Sequence, residues 1–180
     1  MKDNALFILI RKELIRGLAA RGIAGVSVRQ NFQPVQQGRA TESCVYMTKI
    51  SDRRHGSLGI HTIYDTEIEE IARRETQVIE SAFQFTGLAS ERNPADDEEL
   101  TAADILKTAA AVMQGEDFRR ALLSSGVQVL RIQEIRNPTM VNERDRFEFQ
   151  PSFDVVFTHN DEFIARDPVV DRFDWKIKRV

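Results

Sequence analysis

From Phe147 to Phe157 apolar and polar residues alternate: Phe147, Phe149, Phe153, Val155 and Phe157 fall on one side, Glu148, Gln150, Ser152 and Asp154 on the other. Successive strand side chains point to opposite faces, so this pattern predicts a strand with one buried and one wet face. Pro151 interrupts it and has no N–H for a ladder, which predicts an edge position or a bulge there. One-faced strands belong to antiparallel or mixed sheets covered on one side. Burying all five apolar side chains contributes on the order of 10 kcal/mol as an upper bound, so this strand anchors the expected fold.

At the other end of the chain, Asp3 or Asn4 is placed to cap a helix on which Phe7, Ile10, Leu14 and Leu18 recur at helical spacing. Gly22 and Gly25 mark its end. Its first two turns are apolar nearly all round and need cover on more than one side. Either other parts of the same chain or a neighbouring subunit supplies that cover, which makes Phe7 and Ile10 candidate interface residues. Val26–Val28 reads as a short strand, followed by a Gln-rich loop through Pro34 and Gly38. Cys44–Ile50 and Ile60–Tyr64 read as the two arms of a long β-hairpin, with the polar stretch Ser51–Gly56 as its connection. Residues 67–75 fit a helical period through Ile68, Ile71, Ala72 and Glu75, yet Ile79, Ser81, Phe83 and Phe85 alternate. A strand is therefore expected over Thr76–Leu88, and Glu67–Glu75 supports both readings. Ser90–Glu99 is a solvated loop.

Thr101 and Asp104 have the spacing of a capping box, opening a helix that runs through Leu106, Ala110 and Met113 to Gly115. A shorter helix covers Asp117–Ser124 and stops at Gly126. Three strands follow: Val127–Ile135, the anchor strand, and Phe173–Ile177 around Trp175. The Asn137-Pro138 turn and a loop through Asp167-Pro168 separate them. Helix, strands, helix pair, strands is an α+β order. One domain is expected over 1–159, with 160–180 as a C-terminal strand extension or arm.

Composition narrows the function classes. At 180 residues, 42% hydrophobic and 29% charged, there is room for one domain with a sizeable core. A net charge of −3 gives no basic footprint for nucleic acid. Cys44 is the sole cysteine, which rules out an intrachain disulfide and points to a reducing compartment. The longest apolar run, Ala5–Ile10, is too short to cross a bilayer and precedes no small-residue cleavage site, so neither membrane nor secretory signal is expected. Ser51 and Ser57 lie near His55, but no nucleophile elbow frames them. Cys44 heads an apolar strand and reads as an inert core thiol. His55 and His61 lack a third ligand at metal spacing, and phosphate-binding glycine motifs are absent. Catalytic, cofactor-binding and metal residues are therefore expected to be none. The alternative from another class is a small magnesium-dependent nuclease using Glu67, Glu69 and Glu70, against the plain reading of a solvated acidic face. Lys49, Arg53, Arg54 and His55 form the best polar patch, at the expected hairpin tip. They are solvated loop charge, or a contact for an acidic protein surface or passing DNA. Arg73-Arg74 is flanked by glutamates and largely neutralised.

Val45-Tyr46-Met47-Thr48, the Ser51–Arg54 turn, the strand around Ser81–Phe85 and Val129–Asn137, with the helical region 104–125 between them and Phe147–Thr158 closing, resemble tail terminator (neck) proteins of tailed bacteriophages. The resemblance covers roughly residues 43–158 and rests on the order and texture of segments. It implies a mostly antiparallel sheet with helices packed on one face. It also implies a virion structural protein: a homo-oligomeric ring, usually a hexamer, that caps the tail tube and joins the tail to the head connector or adaptor. Tail tube and sheath proteins would be its partners, DNA would pass through the lumen without sequence-specific binding, and assembly would occur in the host cytoplasm. A tail tube or head-completion protein of the same particle is the alternative. The apolar N-terminal helix and the segment after Asn160 depart from the family pattern. Phe7, Ile10, Arg53, Arg54, His55 and Trp175 are the candidate interface residues, with no enzymatic activity expected.

Overall fold

Three long strands carry the structure, a computed structural model that describes residues 1–31, 42–65, 70–89, 99–141 and 147–168. In chain order the elements are α1 (Asp3–Ala20), β1 (Ser27–Gln30), β2 (Cys44–Asp65), β3 (Glu70–Leu88), α2 (Ala102–Gln114), α3 (Glu116–Leu123), β4 (Val127–Ile132), β5 (Thr139–Val141), β6 (Phe147–Phe149) and β7 (Ser152–Pro168). The main sheet has the order β1-β2-β3-β7-β4, and β5 and β6 form a separate two-stranded sheet. Only β1 against β2 is parallel; β2–β3, β3–β7 and β7–β4 are antiparallel. This is the α+β, mostly antiparallel architecture expected from the sequence. Among the described residues no helix is long and apolar enough to cross a membrane.

The core lies between one face of the sheet and the helices. Val45, Met47, Phe83, Phe85, Phe153, Val155 and Phe157 meet Leu6, Ile10 and Leu14 of α1, Ile105, Leu106 and Met113 of α2, and Phe118 and Leu122 of α3. Phe83 is its centre, edge-on to Phe7 at 5.1 Å and to Phe157 at 5.6 Å, while Phe85 stacks on Phe153 at 5.3 Å. The helices approach closely where side chains vanish. A Cβ on Gly17 would lie 2.2 Å from Val112 Cγ1, so the glycine is what lets α1 cross α2. The capping box holds: the Asp104 N–H donates to Thr101 Oγ1 at 3.2 Å, and the Thr101 N–H to Asp104 Oδ2 at 3.3 Å. The hydrogen bond from Thr101 keeps the Asp104 carboxyl below its ordinary range.

Several expectations are corrected. Asp3 and Asn4 do not cap α1; Lys2 stands at the N-cap without a side-chain bond, and Asp3 instead accepts from Lys49. The anchor strand is two strands, because β6 ends before Gln150 and β7 begins at Ser152. Pro151 does interrupt the pattern, but β7 is an inner strand between β3 and β4. The proline marks the switch from one sheet to the other rather than an edge. Phe153, Val155 and Phe157 are fully buried as expected. β4 stops at Ile132 rather than Ile135. Residues 70–75 are strand, which settles the described part of 67–75 against the helical period.

The larger correction concerns the hairpin. Cys44 to Asp65 is one continuous strand paired with β3, so Ser51–Gly56 is mid-strand and the reversal falls between Asp65 and Glu70. Two register shifts, between Lys49 and Ser51 and between His55 and Gly59, bend β2 without ending it. The polar run looked like a turn because both faces of the strand are wet there, which removes the apolar alternation that marks a strand. Phe173–Ile177, Trp175 and most of the Gln-rich loop lie outside the described residues.

Candidate functional site

The helices cover only half of the sheet. The start of α1 sits over the point where β2, β3 and β7 pass Lys49, Ser81 and His159, and a polar cluster closes the core there. Lys49 Nζ lies 2.6 Å from Asp3 Oδ1 and 2.6 Å from Asp52 Oδ2. The Ser81 hydroxyl donates to Asp52 Oδ1 at 2.6 Å, and His159 Nε2 stands 3.2 Å from Ser81 Oγ. The Met1 amine donates to the Asn160 carbonyl at 3.0 Å. Burial alone would raise the Asp52 carboxyl, but hydrogen bonds from Lys49 and Ser81 outweigh it and hold it below the ordinary range. Burial likewise opposes the charge on Lys49, and its bonds to Asp3 and Asp52 nevertheless raise it.

Serine, histidine and aspartate meet here in the wrong order for nucleophilic catalysis. The single Ser81 proton goes to Asp52, so His159 Nε2–H must donate to Ser81 Oγ rather than accept from it, and Nδ1 is left without a partner. In a working triad the carboxylate orients the imidazole instead. Ser81 is also fully buried. Among the described residues no group of three or more His, Cys, Asp and Glu is placed to hold a metal. Glu67 and Glu69 of the acidic run lie outside the described residues.

His159 makes stability depend on pH. Burial, reinforced by the Met1 ammonium, holds its imidazole below the ordinary histidine range. Between that lowered value and about 6.5 the unfolded chain binds a proton that the folded chain does not, so stability falls as pH drops through this window. Urea denaturation at pH 7.5 and 5.5 should show a larger loss for the wild type than for His159→Gln. Equal losses would remove His159 as the cause.

Beyond this cluster β2, β3 and β7 continue as a three-stranded arm with, among the described residues, no helix over it. From Ile79 to Glu70 the arm is roughly 30 Å long at strand rise. Register fixes its faces. Ile60, Glu75 and Phe163 stand in one row on the face that carries Phe83 nearer the core, and Tyr64 and Ile71 follow on the same face. His61, Arg74 and Ile164 form a row on the opposite face. Ile60, Tyr64, Phe163 and Ile164 are each more than half exposed, at 57, 53, 64 and 52%. Arg73 Nε pairs with Glu75 Oε1 at 3.2 Å along the middle strand.

The candidate interface residues scatter over this frame. Phe7 and Ile10 are spent on the chain's own core, and Ile8 and Ile15 are the outward apolar residues of α1. Arg53, Arg54 and His55 do not form one patch. Their register partners Glu80, Ile79 and Val78 put Arg54 on the core-side face and Arg53 and His55 on the other. His55 Nδ1 lies 2.8 Å from Glu80 Oε1. Cys44 is buried, and burial raises its thiol, as expected of an inert core group. Sequence reasoning missed the exposed apolar set of Ile60, Tyr64, Phe163 and Ile164, which lies on both faces of the arm. Its signal was apolar residues set among charges on both strand faces, a pattern with no obvious core to serve.

The sheath/tube terminator of an extracellular contractile injection system, PVC, in its extended state aligns over 96% of this chain and 63% of its own length, at 11% identity and a TM-score of 0.46. The present chain thus spans less than two thirds of that protein. A chain of the virion of a native gene transfer agent particle aligns over 88% of this chain and 95% of its own, at 16% identity and a TM-score of 0.28. No curated protein sequence matches the chain. Residues 5–169 match the family described as E217 gateway protein gp29. That match takes in the helix layer, the sheet and the arm together, so the chain belongs to this phage family, in keeping with the neck and tail-terminator resemblance of its strands.

Proposed function

We propose that this chain is a structural virion protein that closes into a homo-oligomeric ring, a hexamer, which caps the tail tube and joins it to the head connector. The observation that carries this reading is the arm: three strands that leave the helix layer with exposed apolar side chains on both faces. Water is a poor final environment for such a surface, and subunit contact is the ordinary remedy. Membership of a gateway-protein family supports a place at a junction that DNA crosses. A net charge of −3 suits a lumen through which DNA slides without being held. The protein acts by shape, without cofactor or reaction, and serves in the virion neck after assembly in the host cytoplasm. Domain organisation follows the same logic: one α+β unit whose strands run on into the arm.

Native mass measurement of the full chain, alone and with isolated tail tubes, tests this. A six-subunit species or an annulus at the tube end is expected. Monomers at every concentration, with bare tube ends, would overturn it.

A further inference from the structure

The arm places large, exposed apolar side chains on the outer strands of a sheet that ends in water. Free-standing sheets blunt their outer strands with charge, proline or bulges and keep apolar side chains in the middle, because an apolar open edge recruits another strand. Here the outer strands carry exposed Ile60, Ile63 and Tyr64 on β2 and Phe163 and Ile164 on β7, besides polar residues, and the middle strand carries Arg73, Arg74 and Glu75 as well as Ile71 and Ala72. Neither inner-sheet neighbour reaches this far. β1 pairs β2 only through Met47, and β4 pairs β7 only through His159. Along the rest of both rims, among the described residues, no strand takes up the outward backbone groups.

We propose that these two rims belong to each other: the β7 rim of one copy pairs with the β2 rim of the next, bringing Phe163 beside Ile60 of the next copy. This inference rests on the ring reading and names the contact that closes it. Three features favour a second copy in this arrangement. Each rim carries large exposed apolar side chains among its polar ones, Ile60, Ile63 and Tyr64 on one and Phe163 and Ile164 on the other, so each can cover the other's. β2 and β7 both run antiparallel to β3 and hence parallel to one another, so copies set side by side in one orientation join as a parallel pair. Ile60 and Phe163 already share a row through Glu75, so the unstaggered join continues that row into the next subunit on the same face. Arg73 and Glu75 of the middle strand pair within their own copy. A two-fold contact would instead pair like rims, leave the other rim open and build no ring.

The test is a full-length Ile60→Cys, Phe163→Cys double variant, oxidised and run on a non-reducing gel. Within one copy the two positions lie two strand spacings apart, about 9.6 Å, beyond the roughly 7 Å limit for a disulfide. Any bond they form therefore joins two copies, and the buried Cys44 is shielded from competing. The double variant should give a ladder of covalent multimers up to the ring size, with each single variant remaining uncrosslinked. Phe163→Asp should weaken assembly at least tenfold while leaving the thermal melt of the isolated chain unchanged. Covalent dimers from a single variant would reveal a like-rim contact and overturn the proposal. Six-subunit rings by native mass with no ladder would overturn it while leaving the ring intact; monomers alone would remove both.

Discussion

Replacing Phe83 with alanine is expected to destabilise the chain by about 3–5 kcal/mol, a large part of what a domain of this size possesses. The side chain is fully buried and its ring meets Phe7 of α1 and Phe157 of β7 edge-on, so it joins the helix layer to two strands at once. Alanine leaves a cavity among close-packed side chains that relax only partly to fill it. Phe163→Ala provides the control. It lies on the same face but is 64% exposed, so in the isolated chain it should change stability by no more than about 0.5 kcal/mol. Urea midpoints of the two variants measure the contrast. A loss at Phe163 as large as that at Phe83 would mean the arm is already covered within one chain.

Gly87→Val carries the second large effect, expected at about 2–3 kcal/mol of destabilisation. Valine in a strand normally helps, since its branched side chain suits the pleated surface and glycine weakens a strand interior. At Gly87 the sign reverses. A Cβ there would lie 2.8 Å from the Ala102 carbonyl oxygen and 2.8 Å from Leu106 Cγ, both at the start of α2. The carbonyl is backbone and cannot turn aside, so α2 must lift from the sheet. Gly59 on the arm is the matched comparison. Its nearest neighbour would be the Thr76 carbonyl oxygen at 3.5 Å, an ordinary contact, so Gly59→Val should be neutral or slightly stabilising. Thermal melts of the two variants shifting in the same direction and by the same amount would refute the claim that close helix approach is what requires Gly87.

The two glycines and the two phenylalanines make one point. Position along a strand does not decide what a residue contributes here; helix cover does. Where α1 and α2 lie over the sheet, substitutions act on folding. Beyond Lys49, Ser81 and His159 the same strands face water, and substitutions should act on assembly instead.

Much of the covered half was legible in the sequence. The Phe153, Val155, Phe157 alternation, the helical spacing of Phe7 to Leu18, and the Thr101–Asp104 cap are local signals. Each depends on residues within a few positions of one another, and each element formed close to where it was read. The arm was not legible, because its strands lack the contrast between a wet and a dry face. Arg53, Arg54 and His55 imitated a turn for this reason, and the described residues 70–75, which are strand, also fit a helical period.

By itself, then, the chain determined its helices, its α+β order, the burial of Phe153 and Phe157 and its phage-neck resemblance, since periodicity and capping are written in neighbouring residues. Only the tertiary structure decided that β2 runs unbroken for 22 residues, that Phe7 and Ile10 face inward, and that Ile60 and Phe163 share a row on outer strands. Those facts depend on pairing and packing between separate segments, which for β3 and β7 lie up to roughly a hundred residues apart, and no local pattern encodes them.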